Sequence, residues 1–151
     1  MLVEGSFELL VPRAILYQRL LDAKLLAQCI PGCETLERVD ETSYRAGVAI
    51  MLAGIRARFD LIVELTEQEE PGRIVCVTRG EEGTLASQLS AQSQITLHEL
   101  AADNTRVQYV SEVDITGRLG RFGMGVMQKI AQSMGNQFAL ALRDRLAAEH
   151  G

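Results

Sequence analysis

The sequence reads as an α+β domain: a curved antiparallel sheet of about six to seven strands wrapped around one long C-terminal helix, with two short helices after the first strand. Three observations predict this. Apolar and polar residues alternate through most of the stretch from residue 33 to residue 116, the period of strands with one wet face. Met127, Ile130, Met134, Phe138, Leu142 and Leu146 then step by three or four, which is one apolar stripe on a helix. The connections between strands are short, as in a meander, and such a sheet cannot bury its apolar face against two short helices alone. The long helix must therefore lie across it, and the length of 151 residues fits one domain, 1–151.

Each element has its own signal. Leu2 to Val11 alternates around Phe7, Leu9 and Val11 and reads as a strand that Pro12 ends. Arg13 to Leu21 carries Ile15, Leu16, Leu20 and Leu21 at helical spacing, with Pro12 suited to the first turn. Asp22 opens a second short helix that runs to Gln28 or Cys29, and Pro31-Gly32 stops it. Strands follow at Glu34–Asp40, Ser43–Ala53, Arg56–Gln68, Ile74–Arg79, Gln88–Leu100 and Thr105–Thr116. The helix from Gly125 to Ala148 would be about 36 Å long.

Composition excludes several function classes. Lys and Arg total 15 against 20 Asp and Glu, a net charge of −5, so no nucleic-acid partner is expected. The basic residues are nearly all Arg, with only Lys24 and Lys129, which suits surface ion pairs better than a polybasic patch. Cys29, Cys33 and Cys76 are too few and too scattered for a disulfide framework. With only His98 and His150 beside them, no metal site is expected. The start, MLVEGSFELL, has neither a basic segment nor a long apolar run, so no signal peptide is expected and a cytoplasmic location is. No apolar run approaches the ~20 residues that span a bilayer.

A bent sheet around a helix leaves a space where the two diverge, and such a space is by default a ligand cavity. Its expected lining is Met127, Ile130, Met134 and Phe138 from the helix, opposite Phe59, Leu61, Val63, Tyr109 and Val113 from the sheet. The same stripe would also serve as plain core. On the strand 88–100 one face presents Leu89, Ala91, Ser93, Ile95 and Leu97, and its small residues leave volume to be filled by a neighbour or a guest. A surface strand with a polar stretch explains them equally. Ser93, Ser111 and Tyr109 are candidates to orient a ligand. Gly117, Gly120, Gly123 and Gly125 suggest a flexible gate with Phe122 and Met124 as exposed apolar contacts, although a loose connection fits as well. No nucleophile, base and orienting group can be assembled, so no catalytic residue and no cofactor is expected.

Three segments carry a family resemblance. The first is Leu21-Asp22, then Leu25 and Leu26, then Ile30-Pro31-Gly32-Cys33-Glu34; the second is Gly54 shortly before Arg58-Phe59; the third is Gly117-Arg118-Leu119 and Gly123 leading into the last helix with Phe138. In this order and spacing the chain resembles the G-subunit proteins of carbon monoxide dehydrogenase, a branch of the START and Bet v 1-like helix-grip (SRPBCC) superfamily, over nearly its whole length. The resemblance implies a helix-grip fold from bacteria or archaea whose hydrophobic cavity binds a lipid or quinone. It also implies an accessory role: recruiting or serving a molybdenum hydroxylase such as carbon monoxide dehydrogenase, with weak peripheral contact at the inner face of the cell membrane. Two departures stand out. Tyr17 takes the place of an expected Trp, and the chain stops at Gly151 where longer members continue, which makes cavity binding the firmer expectation. Two alternatives stay open: a cyclase- or hydrolase-like enzyme of the same superfamily, marked by titratable groups in the cavity, and a docking protein without ligand, marked by a filled core.

Overall fold

The computed structural model describes residues 1–150; Gly151 and the side chain of His150 lie outside the described residues. The elements are β1 (Leu2–Leu9), α1 (Arg13–Arg19), α2 (Ala23–Cys29), β2 (Cys33–Arg38), β3 (Ser43–Leu52), β4 (Ile55–Glu69), β5 (Arg73–Glu82), β6 (Ser87–Ala101), β7 (Asn104–Thr116), a 3₁₀ segment Arg118–Phe122, and α3 (Met124–His150). The sheet has the order β1-β7-β6-β5-β4-β3-β2 and every pair is antiparallel. β2 to β7 form a meander, and β1 closes against β7. The fold is the one expected, and the sheet has seven strands.

Local chemistry sets the boundaries. The Pro12 carbonyl accepts the N–H of Leu16, so proline stands just before α1 and not inside its first turn. The Asp22 carboxylate accepts the N–H of Lys24 at 3.0 Å and of Leu25 at 3.4 Å, capping α2. Tyr44 on β3 donates to the Leu21 carbonyl at 2.6 Å, and Thr105 on β7 donates to the Val11 carbonyl at 2.7 Å. These two buried bonds pin the short helices onto the sheet. β5 runs three residues beyond its expected end at Arg79. Its extension includes Glu82, whose side chain is buried, an outcome that a rule placing acids in solvent cannot foresee. Gly80 is required in that stretch, because a Cβ there would lie 2.3 Å from the Leu61 Cδ2 atom and 3.2 Å from the Asp60 carbonyl.

The edge strand β1 is covered by the long helix. Gln128 and Gln132 donate to the carbonyls of Leu2 at 2.9 Å and Glu4 at 3.1 Å, and Arg143 donates to that of Glu8 at 3.0 Å. Polar residues of α3 thereby satisfy edge groups that would otherwise invite another strand. Two apolar clusters close the ends of the concave face. One joins Leu9, Leu16, Tyr17, Leu25, Leu97, Val107, Leu142 and Leu146 beneath α1, α2 and the end of α3. The other joins Leu52, Ala57, Phe59 and Leu119 beneath the 3₁₀ segment. Among the described residues no helix is long and apolar enough to cross a membrane.

Candidate functional site

Along the concave face, residues from neighbouring strands fall into rows. Cys76 on β5, Ser93 on β6 and Ser111 on β7 are register partners, so three small side chains stand side by side. Thr78 and Ala91 pair in the next row. Interiors are otherwise close-packed, so rows of small residues beneath a helix leave space unless the helix descends to fill it. It does not, and a cavity of about 370 Å³ results. Its floor is Ala46, Val48, Leu61, Val63, Leu65, Ile74, Cys76, Thr78, Ser93, Ile95, Tyr109 and Ser111; Leu20, Leu21, Leu26 and Ile30 of α1, α2 and their flanks form one wall, and Gly135 and Phe138 of α3 the roof.

The polar groups in this space are few and neutral. The hydroxyls of Ser93 and Ser111 lie 2.7 Å apart, and since one donates to the other, a proton and lone pairs remain for a guest. Tyr109 sits in a slot between β1 and α3. A Cβ at Gly5 or at Gly135 would come within 2.4 Å of its hydroxyl oxygen, so both glycines are needed for the ring to stand there. Burial pushes the Cys76 thiol up, with the Ser93 hydrogen bond opposing, and burial pushes the Tyr109 hydroxyl up. The Tyr44 hydroxyl is also raised, by burial first, and its proton is engaged with Leu21. Among the described residues no carboxylate, imidazole, ammonium or guanidinium lines the cavity.

Of the residues expected at the site, Leu61, Val63, Ser93, Tyr109, Ser111 and Phe138 surround this one cavity. The others do not. Phe59 is buried in the cluster under the 3₁₀ segment, and Leu89, Phe122, Met127 and Ile130 pack against it. Val113 and Met127 border a small depression near Met1, while Ile130 and Met134 border a groove between β3 and α3. The physical reason is Leu119. It is fully buried, and its N–H donates at 2.9 Å to the Ser87 hydroxyl, which itself donates to the Leu85 carbonyl. The glycine-rich segment thus drives a plug between sheet and helix at this end. Phe122 is half-buried against that plug, which corrects its expected exposure, while Met124 is exposed as expected.

The sequence reading missed Thr78 and the whole wall from α1 and α2, and it did not set Cys76 beside the serines. The register that unites Cys76, Ser93 and Ser111 is not visible in any one segment. A glycine at 135, inside an otherwise good helix, was an available signal of close approach. His98 is exposed on the outer face and pairs with Gln108. Among the described residues no group of three or more His, Cys, Asp or Glu is placed to hold a metal. A larger depression of about 830 Å³ lies open to solvent toward the outer face, where Arg45, Arg58 and Arg79 are balanced by Asp60, Glu81 and Asp114.

Known proteins match this geometry. A conserved protein from Geobacillus kaustophilus superposes with a TM-score of 0.89 at 24% identity, covering 98% of this chain and 96% of that one. A START superfamily protein from Mycobacterium smegmatis gives 0.77 at 17% identity, covering 97% of each chain. The Zhui aromatase/cyclase from Streptomyces sp. R1128 gives 0.70 at 15% identity, covering 96% and 92%. These likenesses establish the fold. No curated protein matches the sequence. The family model of CoxG, the G subunit of carbon monoxide dehydrogenase, matches residues 5–147, nearly the full length. The chain belongs to the carbon monoxide dehydrogenase CoxG family.

Proposed function

We propose that the protein is a carrier: it encloses a neutral apolar molecule, a lipid or a quinone, between sheet and helix and serves a molybdenum hydroxylase such as carbon monoxide dehydrogenase, with peripheral contact at the inner face of the cell membrane. The observation that carries the ligand reading is the cavity, about 370 Å³ with apolar walls and only neutral polar groups. Water needs two to four polar partners apiece, and this lining offers few, so an apolar guest suits it better. A cavity of about 150 Å³ accepts a benzene ring, so this one takes roughly two such rings. Burial of apolar surface at about 25 cal/mol per Å² drives binding, and Ser93, Ser111 and Tyr109 orient the polar end.

The family supports the accessory role and the kind of partner. The likeness to an aromatase/cyclase raises acid–base chemistry as a comparison, but the titratable groups here are Cys76, Tyr44 and Tyr109. All three have values raised mainly by burial, so each keeps its proton at neutral pH. That lining supports carriage over catalysis. Native mass spectrometry of the purified protein, with organic extraction of whatever is bound, tests the reading. A stoichiometric quinone or lipid is the expected result. A clean apo mass, with no thermal shift on adding quinones or fatty acids, would overturn it.

A further inference from the structure

The cavity and a groove outside it share three structural elements. On the α2–β2 turn Ile30 lines the cavity, while Pro31 and Gly32 line a groove of about 280 Å³ outside it. On β3 Val48 lines the cavity, and Ala49, Ile50 and Met51 line the groove. On α3 Gly135 and Phe138 face inward, and Met134 and Gln137 face the groove. Three separate elements thus give neighbouring residues to both spaces, so the groove lies directly beside the cavity. We propose that it is the cavity's portal and that it holds the apolar chain of a head-and-tail ligand whose compact, uncharged head lies inside. The inference rests on the carriage reading given above.

Size argues for a two-part ligand. The cavity lies near the lower end of the ~300–1,000 Å³ typical of small-molecule sites, so it takes a ring-sized head and has no room for a long chain besides. The groove has the character a chain needs. Pro31, Ile50, Met51, Ile130 and Met134 line it, and among the described residues Ser133 and Gln137 are its only polar side chains. Methionines adapt to an irregular, mobile apolar partner. Met51 is 62% exposed, a large apolar side chain left uncovered at the rim.

One wall of the portal is fixed and the other is loosely held. Gly32 adopts φ +73°, its carbonyl accepts the N–H of Ala49 at 2.9 Å, and a Cβ on it would lie 2.0 Å from the Ala49 carbonyl oxygen. Only glycine lets the turn press onto β3 in this way. Across the groove, no residue of α3 from Met124 to Ala141 is fully buried, so this wall has room to shift as a chain passes.

The test compares two ligands with one head: a dimethoxy-methyl-benzoquinone without a chain, and the same ring carrying a decyl chain, each titrated calorimetrically into the full chain. The decyl compound is expected to bind at least about tenfold tighter, because the groove removes several methylenes from water. Met51→Asp, at an exposed position that folding tolerates, and Met134→Asp are expected to erase most of that gain and leave the chainless ring within about twofold of its original affinity. A gain that survives in both variants would overturn the proposal, and so would equal affinities for the two compounds in the unmodified protein. Failure of both to bind would overturn the carriage reading and this inference with it.

Discussion

The two halves of α3 are built on the same repeat and behave differently. Toward the C-terminus, Leu142 and Leu146 are 0% and 1% exposed and are locked among α1, α2, β1 and β7. Toward the N-terminus, Met127, Ile130, Met134 and Phe138 continue the stripe, yet all are only half-buried. The C-terminal half is held by core packing. The N-terminal half is held by Gln128 and Gln132 along the edge of β1 and by the neighbouring plug at Leu119. The comparison teaches that an apolar stripe on a helix does not by itself mean core. What decides is what lies opposite: Leu142 and Leu146 meet large side chains such as Leu97 and Val107, Phe138 faces the cavity with its small row of Cys76, Ser93 and Ser111, and Met127 and Ile130 meet the plug at Leu119.

Breaking the packed half should have the largest effect. Leu142→Ala is expected to lose about 2–5 kcal/mol of stability in urea denaturation, and Met134→Ala less than about 1 kcal/mol. Equal losses would contradict the contrast between the halves. Next comes the plug. The buried Glu82 carboxylate accepts N–H groups of Leu85, Thr84 and Arg58. Burial works to raise its pKa, but those bonds prevail and hold it below the ordinary carboxylate value. Such a group contributes stability above its unfolded pKa, and that contribution is lost as pH falls through the lower folded value. Glu82→Gln is therefore expected to cost about 1–3 kcal/mol at pH 7, with the gap to the unmodified protein narrowing below about pH 4. A constant gap across that range would show the carboxylate charge to be irrelevant.

The row of small residues sharpens the comparison from the other side. Replacing Ser93 and Ser111 together by Ala is expected to change stability little and to weaken a quinone about fivefold, the worth of one hydrogen bond of about 1 kcal/mol. Unchanged quinone affinity would remove these hydroxyls from the orienting role. The smallest effect concerns Tyr17, whose hydroxyl is buried without a partner among the described residues. Tyr17→Phe is expected to be neutral or to stabilise by up to about 1 kcal/mol, because it removes an unpaired polar atom. A marked loss would mean that this hydroxyl has a hidden partner.

The fold was largely legible because each strand carries its own period and each helix its own stop, as at Asp22 and Pro31-Gly32. Leu61, Val63, Ser93, Tyr109 and Ser111 could be placed on the inner side by strand parity, and Phe138 by the helical stripe. What parity could not supply was position along the sheet. Phe59 and Leu61 share a face, yet one joins the plug and the other lines the cavity. That division depends on where Leu119 inserts, a contact between segments far apart in sequence. Glu82 was illegible for a related reason: its partners are backbone groups of a turn whose shape the sequence does not announce.

The most direct test of the central claim is a crystal structure of the protein grown with the decyl quinone. The account expects the ring beside Ser93, Ser111, Tyr109 and Phe138, with the space between sheet and helix occupied. A quinone bound instead in the open depression near Arg45 and Arg79, with Tyr109 and Phe138 collapsed into the cavity, would contradict it.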